Sequence, residues 1–184
     1  DTEEIIKTIV NIAPAFGGIN LEDISAPRCF EIEERLKELL DIPVFHDDQH
    51  GTAIVVLAGI INALKVTGKQ KDSCKVIVNG AGSAGIAITK LLLTYGFSHI
   101  TMCDINGILS KNSPNLNYMQ KYMTEVTNLE EKEGTLADAL CGADIFIGVS
   151  APNIVTEDMV ASMNKDAILF AMANPVPEIM PDLA

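Results

Sequence analysis

Two sets of residues in this sequence have the types and spacing to do chemistry. The first is the glycine cluster Gly80-Ala81-Gly82-Ser83-Ala84-Gly85. The second is a pair of acid doublets, Glu22-Asp23 and Asp47-Asp48. The glycines follow a short β-branched run, Lys75 to Val78, and precede an apolar run with helical spacing, Ile86 to Leu93. A strand, a glycine turn and a helix in that order form a dinucleotide-binding fingerprint. Gly80 makes the tight turn, Gly82 lets a pyrophosphate approach the backbone, and Gly85 lets the helix pack closely. The first turn of the helix then offers free N–H groups and a positive dipole end to phosphate. Asp104 ends the next strand, roughly 20 residues beyond Gly85, where a carboxylate can accept a ribose 2′-OH. That carboxylate repels a 2′-phosphate and no Arg follows it, so NAD is expected over NADP. The bland alternative is a glycine-rich turn that binds nothing.

The acid doublets read differently. Carboxylates crowded in a partly buried cleft repel one another, and desolvation adds to the cost. A cation removes that penalty. An all-oxygen donor set suits a hard ion, Mg²⁺ or Mn²⁺. Zinc suits the site less, since no Cys is near. His46 and His50 flank Asp47-Asp48 as ligands or hydrogen-bond partners. The alternative is that Glu22 and Asp47 cap helices or sit in surface loops. Taken together, a dinucleotide site and a hard-metal site suggest oxidation of a hydroxy acid, with the metal as Lewis acid and hydride passing to a nicotinamide.

The surrounding elements must bring these groups together. The sequence predicts helices over 2–15, 27–40 and 51–65, with Thr2 as the first N-cap. The charged residues of the second, Glu33 among them, are expected on its wet face. The third is apolar almost throughout and is expected to be buried on most sides. Short strands are expected at 18–23 and 42–48, each ending in an acid doublet. Residues 67–72 form a polar turn and a subdomain boundary. Residues 106–117 read as loop, and 117–133 as a mixture with a possible short helix. Thr135 and Asp138 suit a capping box. Apolar strands are expected at 143–150 and 166–173, with a short helix at 156–163. Strands that alternate with helices and are apolar throughout imply an α/β fold, a doubly wound, mostly parallel sheet of Rossmann type. Ligands in such sheets sit beyond the carboxyl ends of the strands. Those ends carry the two doublets, the glycine turn, Asp104, Ser150 and Asn174.

Length and charge narrow the classes. The 184 residues are 48% apolar, enough for one domain with a sizeable core. A net charge of -12 argues against nucleic acid and an anionic membrane as partners. The longest apolar run, 53–64, is too short to span a bilayer, and no signal peptide is seen. The four cysteines form no CxxC pair and suit reduced core thiols of a cytoplasmic protein.

Four blocks carry a family resemblance. They are Leu21-Glu-Asp-Ile-Ser-Ala-Pro-Arg-Cys-Phe30, Phe45-His-Asp-Asp-Gln-His-Gly-Thr-Ala53, Asn79-Gly-Ala-Gly-Ser-Ala-Gly85 and Phe170-Ala-Met-Ala-Asn-Pro175. In this order they closely resemble malic enzyme, in its small, bacterial-type branch. The resemblance implies oxidative decarboxylation of malate to pyruvate and CO₂ with NAD(P) and Mg²⁺ or Mn²⁺. It implies Glu22, Asp23 and Asp48 as metal ligands and Asp47 as a catalytic group beside the metal. It implies that Asn174 touches substrate or nicotinamide, and that the protein is a homodimer or larger homo-oligomer. On this reading residues 1–184 are one NAD(P)-binding domain, with the metal-ligand strands in 1–68 and the Rossmann-type unit in 73–184. The family's catalytic lysine and tyrosine lie upstream of its Glu-Asp pair, and nothing before Glu22 matches them. The segment is therefore expected to belong to a longer chain and to be inactive alone. The rival readings are a metal-free domain like that of amino-acid dehydrogenases and a non-catalytic NAD-binding module.

Overall fold

The β-branched run from Lys75 to Asn79 is the central strand of the main sheet. A computed structural model describes residues 1–184. In chain order the elements are α1 (Thr2–Ile12), β1 (Ile19–Leu21), α2 (Arg28–Leu39), β2 (Val44–His46), α3 (Thr52–Thr67) and β3 (Lys75–Asn79). Next come α4 (Ser83–Tyr95), β4 (His99–Asp104), β5 (Gly107–Ile108) and α5 (Tyr118–Val126). The last are α6 (Leu136–Leu140), β6 (Ile145–Gly148), α7 (Glu157–Ala161) and β7 (Ile168–Ala171).

The main sheet has the order β5-β4-β3-β6-β7. Its strands pair in parallel except β5, which runs antiparallel to β4. The chain leaves β3 for β4 on one side and returns to β6 on the other. The strand order thus reverses beside β3, and a ligand crevice opens at such a point. Alternation along β3 serves both faces of the sheet. Val76 and Val78 join the larger core with Ile86, Ile88 and Leu92 of α4 and Val56 and Ile60 of α3. Ile77 joins a second core on the opposite face with Phe146, Leu140 and Val155. This is the doubly wound architecture expected from the sequence.

Three elements differ from the sequence reading. The acid-bearing strands β1 and β2 do not enter the main sheet. They form a parallel pair of their own, Leu21 level with His46, over a small core of Ile6, Ile32, Leu36 and Val44. The stretch expected as loop contains β5, paired on the end of β4. The third helix is not buried on most sides. Only Ala53, Val56 and Ile60 are buried, while Ile54, Val55 and Val66 stand open. With the turn before it, 47–67 is long and apolar enough to span a bilayer by length and composition, unlike the shorter run taken from sequence. Its buried side belongs to the main core.

Helix ends follow local chemistry. Asp1, rather than Thr2, caps α1 by accepting from the Glu3 N–H at 2.9 Å. Thr135 and Asp138 form the expected capping box. Asn117 and Gln120 form a second one at the start of α5. Gly96 ends α4 with φ 106°, a left-handed conformation that favours glycine.

Candidate functional site

The glycine turn is built as its residue types demand. Gly80 has φ 121°, and a Cβ there would lie 2.7 Å from the Val149 carbonyl oxygen. A Cβ on Gly85 would lie 1.7 Å from the Gly80 carbonyl oxygen, so only glycine lets α4 begin against the turn. Gly82 faces open space. It caps α4 with no side chain across the helix end. The N–H groups of Ser83, Ala84 and Gly85 therefore open the helix without intrahelical partners. Gln120 of α5 donates to the Ala81 carbonyl at 3.1 Å and braces the turn from outside.

Asp104 stands next to this turn. Asn79 pairs with Cys103, so Asp104 lies level with Gly80 on the neighbouring strand. Its Oδ1 accepts from the Asn106 N–H at 2.7 Å. Cys103 behind it is buried, and burial together with the Asp104 charge pushes its thiol up to about 12. It is a core thiol, as expected, and so are Cys29 and Cys74. Cys141 differs, being exposed.

On the other side of β3, Asn79 donates to Ser150 Oγ at 2.6 Å. Ser150 and Asn174 are exposed at the ends of β6 and β7. Glycine turn, Asp104, Ser150 and Asn174 thus share the carboxyl edge of one sheet.

The acids gather at the matching edge of the smaller pair. The β1–β2 register places Glu22 level with Asp47. The Asp23 N–H donates to Asp48 Oδ2 at 2.9 Å. Asp47 Oδ1 lies where a Cβ on Gly51 would come within 2.2 Å of it. Glu22 turns aside and accepts from Asn20 at 3.0 Å. Asp23 and Asp48 are therefore together, but no three acid, His or Cys side chains are arranged to hold an ion. None of the four carboxylates pairs with a Lys or Arg. An unneutralised, all-oxygen set on two adjacent strand ends fits a hard divalent cation.

The turn that carries Asp47 and Asp48, Asp47–Gly51, is a wide π-type turn packed against α4. It is held by Glu33, only 6% exposed. Glu33 accepts from Gln49 at 3.2 Å, pairs with His50 at 2.6 Å and with Lys37 at 2.7 Å. The sequence reading placed Glu33 on the wet face, and the structure corrects that. The signal was its spacing, since Cys29, Ile32, Glu33 and Leu36 form one stripe at i, i+3, i+4 and i+7. His50 is a hydrogen-bond partner. His46 points inward, fully buried, with neither ring nitrogen partnered. A groove of about 500 Å³ behind this turn is lined by Glu33, His50 and Lys90 and includes neither the acid doublets nor the glycine turn.

The family profile described as "Malic enzyme, NAD binding domain" matches residues 49–180. The chain belongs to the malic enzyme family. The profile "Malic enzyme, N-terminal domain" matches residues 1–37. That stretch contributes Ile6, Leu21, Ile32 and Leu36 to the small core. The NAD-dependent malic enzyme of Geobacillus stearothermophilus is 58% identical over 100% of this chain and 38% of its own length. The bifunctional malic/malolactic enzyme of Bacillus subtilis is 55% identical over 99% of this chain and 45% of its own. The chain thus spans less than half the length of these curated relatives. The crystal structure of the NAD-dependent malic enzyme from Thermotoga maritima superposes with a TM-score of 0.97 at 49% identity, covering 100% of this chain and 49% of that one. An ornithine carbamoyltransferase from Pyrococcus furiosus, 13% identical with a TM-score of 0.60, shares the fold alone.

Within a malic enzyme fold, the Glu33 network predicts a separable effect. E33A removes the acceptor for Gln49 and His50 and frees the acid turn. If the turn holds a divalent cation, its affinity is expected to fall about 10- to 100-fold, the usual cost of losing a group behind metal ligands. Dinucleotide affinity should stay unchanged. Titration calorimetry of both ligands on the full-length protein checks this.

Proposed function

We propose that the full-length protein carries out oxidative decarboxylation of malate to pyruvate and CO₂, reducing NAD(P) with Mg²⁺ or Mn²⁺ bound. The observation that carries this reading is the Asp23 backbone N–H bound to Asp48 Oδ2 at 2.9 Å, which brings together two acid doublets that no Lys or Arg neutralises. The glycine turn supports it from the edge of the main sheet. In this reading residues 1–68 supply the metal-ligand strands and 73–184 the dinucleotide unit. Glu22, Asp23 and Asp48 would hold the divalent cation, which supplies Lewis acidity toward the malate C2 oxygen and carboxylate.

The chain's own groups do the rest. The first turn of α4 binds the pyrophosphate, with Gly82 leaving the approach clear. Asp104 accepts from the adenosine ribose. Ser150, fixed by Asn79, lines the cofactor's path. Asn174 touches substrate or nicotinamide. Asp47, exposed beside the Asp23–Asp48 pair, assists in moving the proton of the C2 hydroxyl. The enzyme acts as a homodimer or larger homo-oligomer in the cytoplasm.

NAD is the preferred cofactor, because Asp104 stands level with Gly80 and no Arg side chain hydrogen-bonds near it. Lys111, the nearest base in sequence, is engaged with Glu131 at 3.2 Å. D104A is expected to shrink the NAD over NADP preference by about tenfold, the scale of one charged hydrogen bond. Steady-state kinetics with both cofactors test this, and an unchanged ratio would remove Asp104 from the site. The proposal as a whole is tested by assaying the full-length protein with L-malate, each cofactor and Mn²⁺.

A further inference from the structure

Glu178 is a carboxylate inside the protein with no cation beside it. It is fully buried. Its position in the proline-rich tail Asn174-Pro-Val-Pro-Glu178 gives no hint of this. Oε1 accepts from the Ser150 N–H at 3.0 Å, and Oε2 accepts from the Ala173 N–H at 3.0 Å. Its own carbonyl accepts from the Val155 N–H at 3.0 Å. One carboxylate thus bridges the chain just after β6 and the chain just after β7.

The room for it is reserved. A Cβ on Gly148 would lie 2.3 Å from the Glu178 carboxyl carbon and within 2.7 Å of both its oxygens. Gly148 is not in a left-handed conformation, so its glycine is required by space rather than by backbone strain. The two bridged segments carry Ser150 itself and Asn174, which follows Ala173. A buried carboxylate left with only two N–H donors is costly unless both bonds are made. The arrangement therefore resists any change in the spacing between those segments.

We propose that Glu178 is a positioning residue, whose carboxylate sets the distance between the Ser150 and Asn174 strand ends and so shapes the nicotinamide half of the dinucleotide site. This rests on the reading that Ser150 and Asn174 line that site. Gly148 and Glu178 act as one unit, with the glycine supplying the cavity that the carboxylate fills. The carboxylate acts through the backbone and need not touch the cofactor.

The test uses the full-length protein and E178Q. A glutamine side chain fills the same space, but its NH₂ group faces one N–H and loses that bond. Hydrogen exchange should speed up at whichever of the Ser150 and Ala173 amides faces that NH₂ group. The Kd for NAD⁺, or for NADP⁺ if that is the cofactor bound, should rise about tenfold. The Kd for Mn²⁺, held on the other pair of strands, should not change, which separates positioning from general loss of structure. If E178Q does not fold, G148A carries the test, since its Cβ displaces the Glu178 carboxyl group without replacing the residue. An unchanged dinucleotide Kd, or a raised Kd with both amides still protected, overturns the proposal. A parent protein that binds no dinucleotide overturns the functional reading itself, and this inference with it.

Discussion

Asp48→Asn is expected to abolish measurable Mn²⁺ binding and to lower malate oxidation on the order of 10³-fold. The side chain has two tasks. It is one of the three proposed metal ligands, and it accepts the Asp23 N–H at 2.9 Å. That bond holds Asp23 at φ 55°, an uncommon conformation for a residue other than glycine. The amide of Asn loses the charge that a hard cation requires. It also weakens the bond that fixes its neighbour's geometry. Two ligands are therefore disturbed by one substitution. The glycine turn lies on the other sheet, so dinucleotide affinity without metal should be unchanged. Calorimetry with Mn²⁺ and with NAD⁺, followed by turnover assays, reads both halves. Retained Mn²⁺ affinity would remove Asp48 from the metal site.

The second large effect concerns stability. Asp144, 9% exposed, lies just before β6 at the end of the sheet opposite the site. Its Oδ1 accepts from Lys69 at 2.8 Å and Asn164 at 3.0 Å, and its Oδ2 from the Lys75 N–H at 2.9 Å. Lys69 also donates to the Lys165 carbonyl at 2.8 Å. One carboxylate thus ties the entries of β3, β6 and β7. Burial pushes its pKa up. The bonds from Lys69, Lys75 and Asn164, with the Lys69 charge, outweigh that and hold it below the usual carboxylate range. The folded state therefore favours the charged form. Its contribution is complete above the ordinary carboxylate pKa and is lost as pH falls through the lower folded value. D144A leaves Lys69 and the Lys75 N–H short of a partner and is expected to cost about 3 kcal/mol at neutral pH. Urea unfolding from neutral to acid pH measures this. The gap between the parent and D144A should narrow as the pH drops below the carboxylate range, and a gap independent of pH would contradict the assignment.

What the sequence showed and what it hid have physical causes. The glycine turn was legible because backbone sterics allow few residues there, and Gly80 and Gly85 sit where any side chain would strike a carbonyl. The acid doublets stood out because four carboxylates at the ends of two short strands need a shared explanation, and the structure joins Asp23 to Asp48 while Glu22 turns aside. Their separation from the main sheet was not, since both strands are three residues long and carry no mark of their partners. The open face of α3 was hidden because an apolar helix looks alike whether or not something covers it. Glu33 was misplaced by its charge, although its helical spacing pointed inward. Glu178 gave no signal, because its burial depends on the space left by Gly148 far along the chain.

The most direct test of the central claim is NAD(P)H formation from L-malate by the full-length protein, with and without Mn²⁺, with pyruvate and oxaloacetate measured together. The account predicts reduced cofactor only when metal is present, with an equal amount of pyruvate. Oxaloacetate as the sole product, or turnover indifferent to metal, would contradict it.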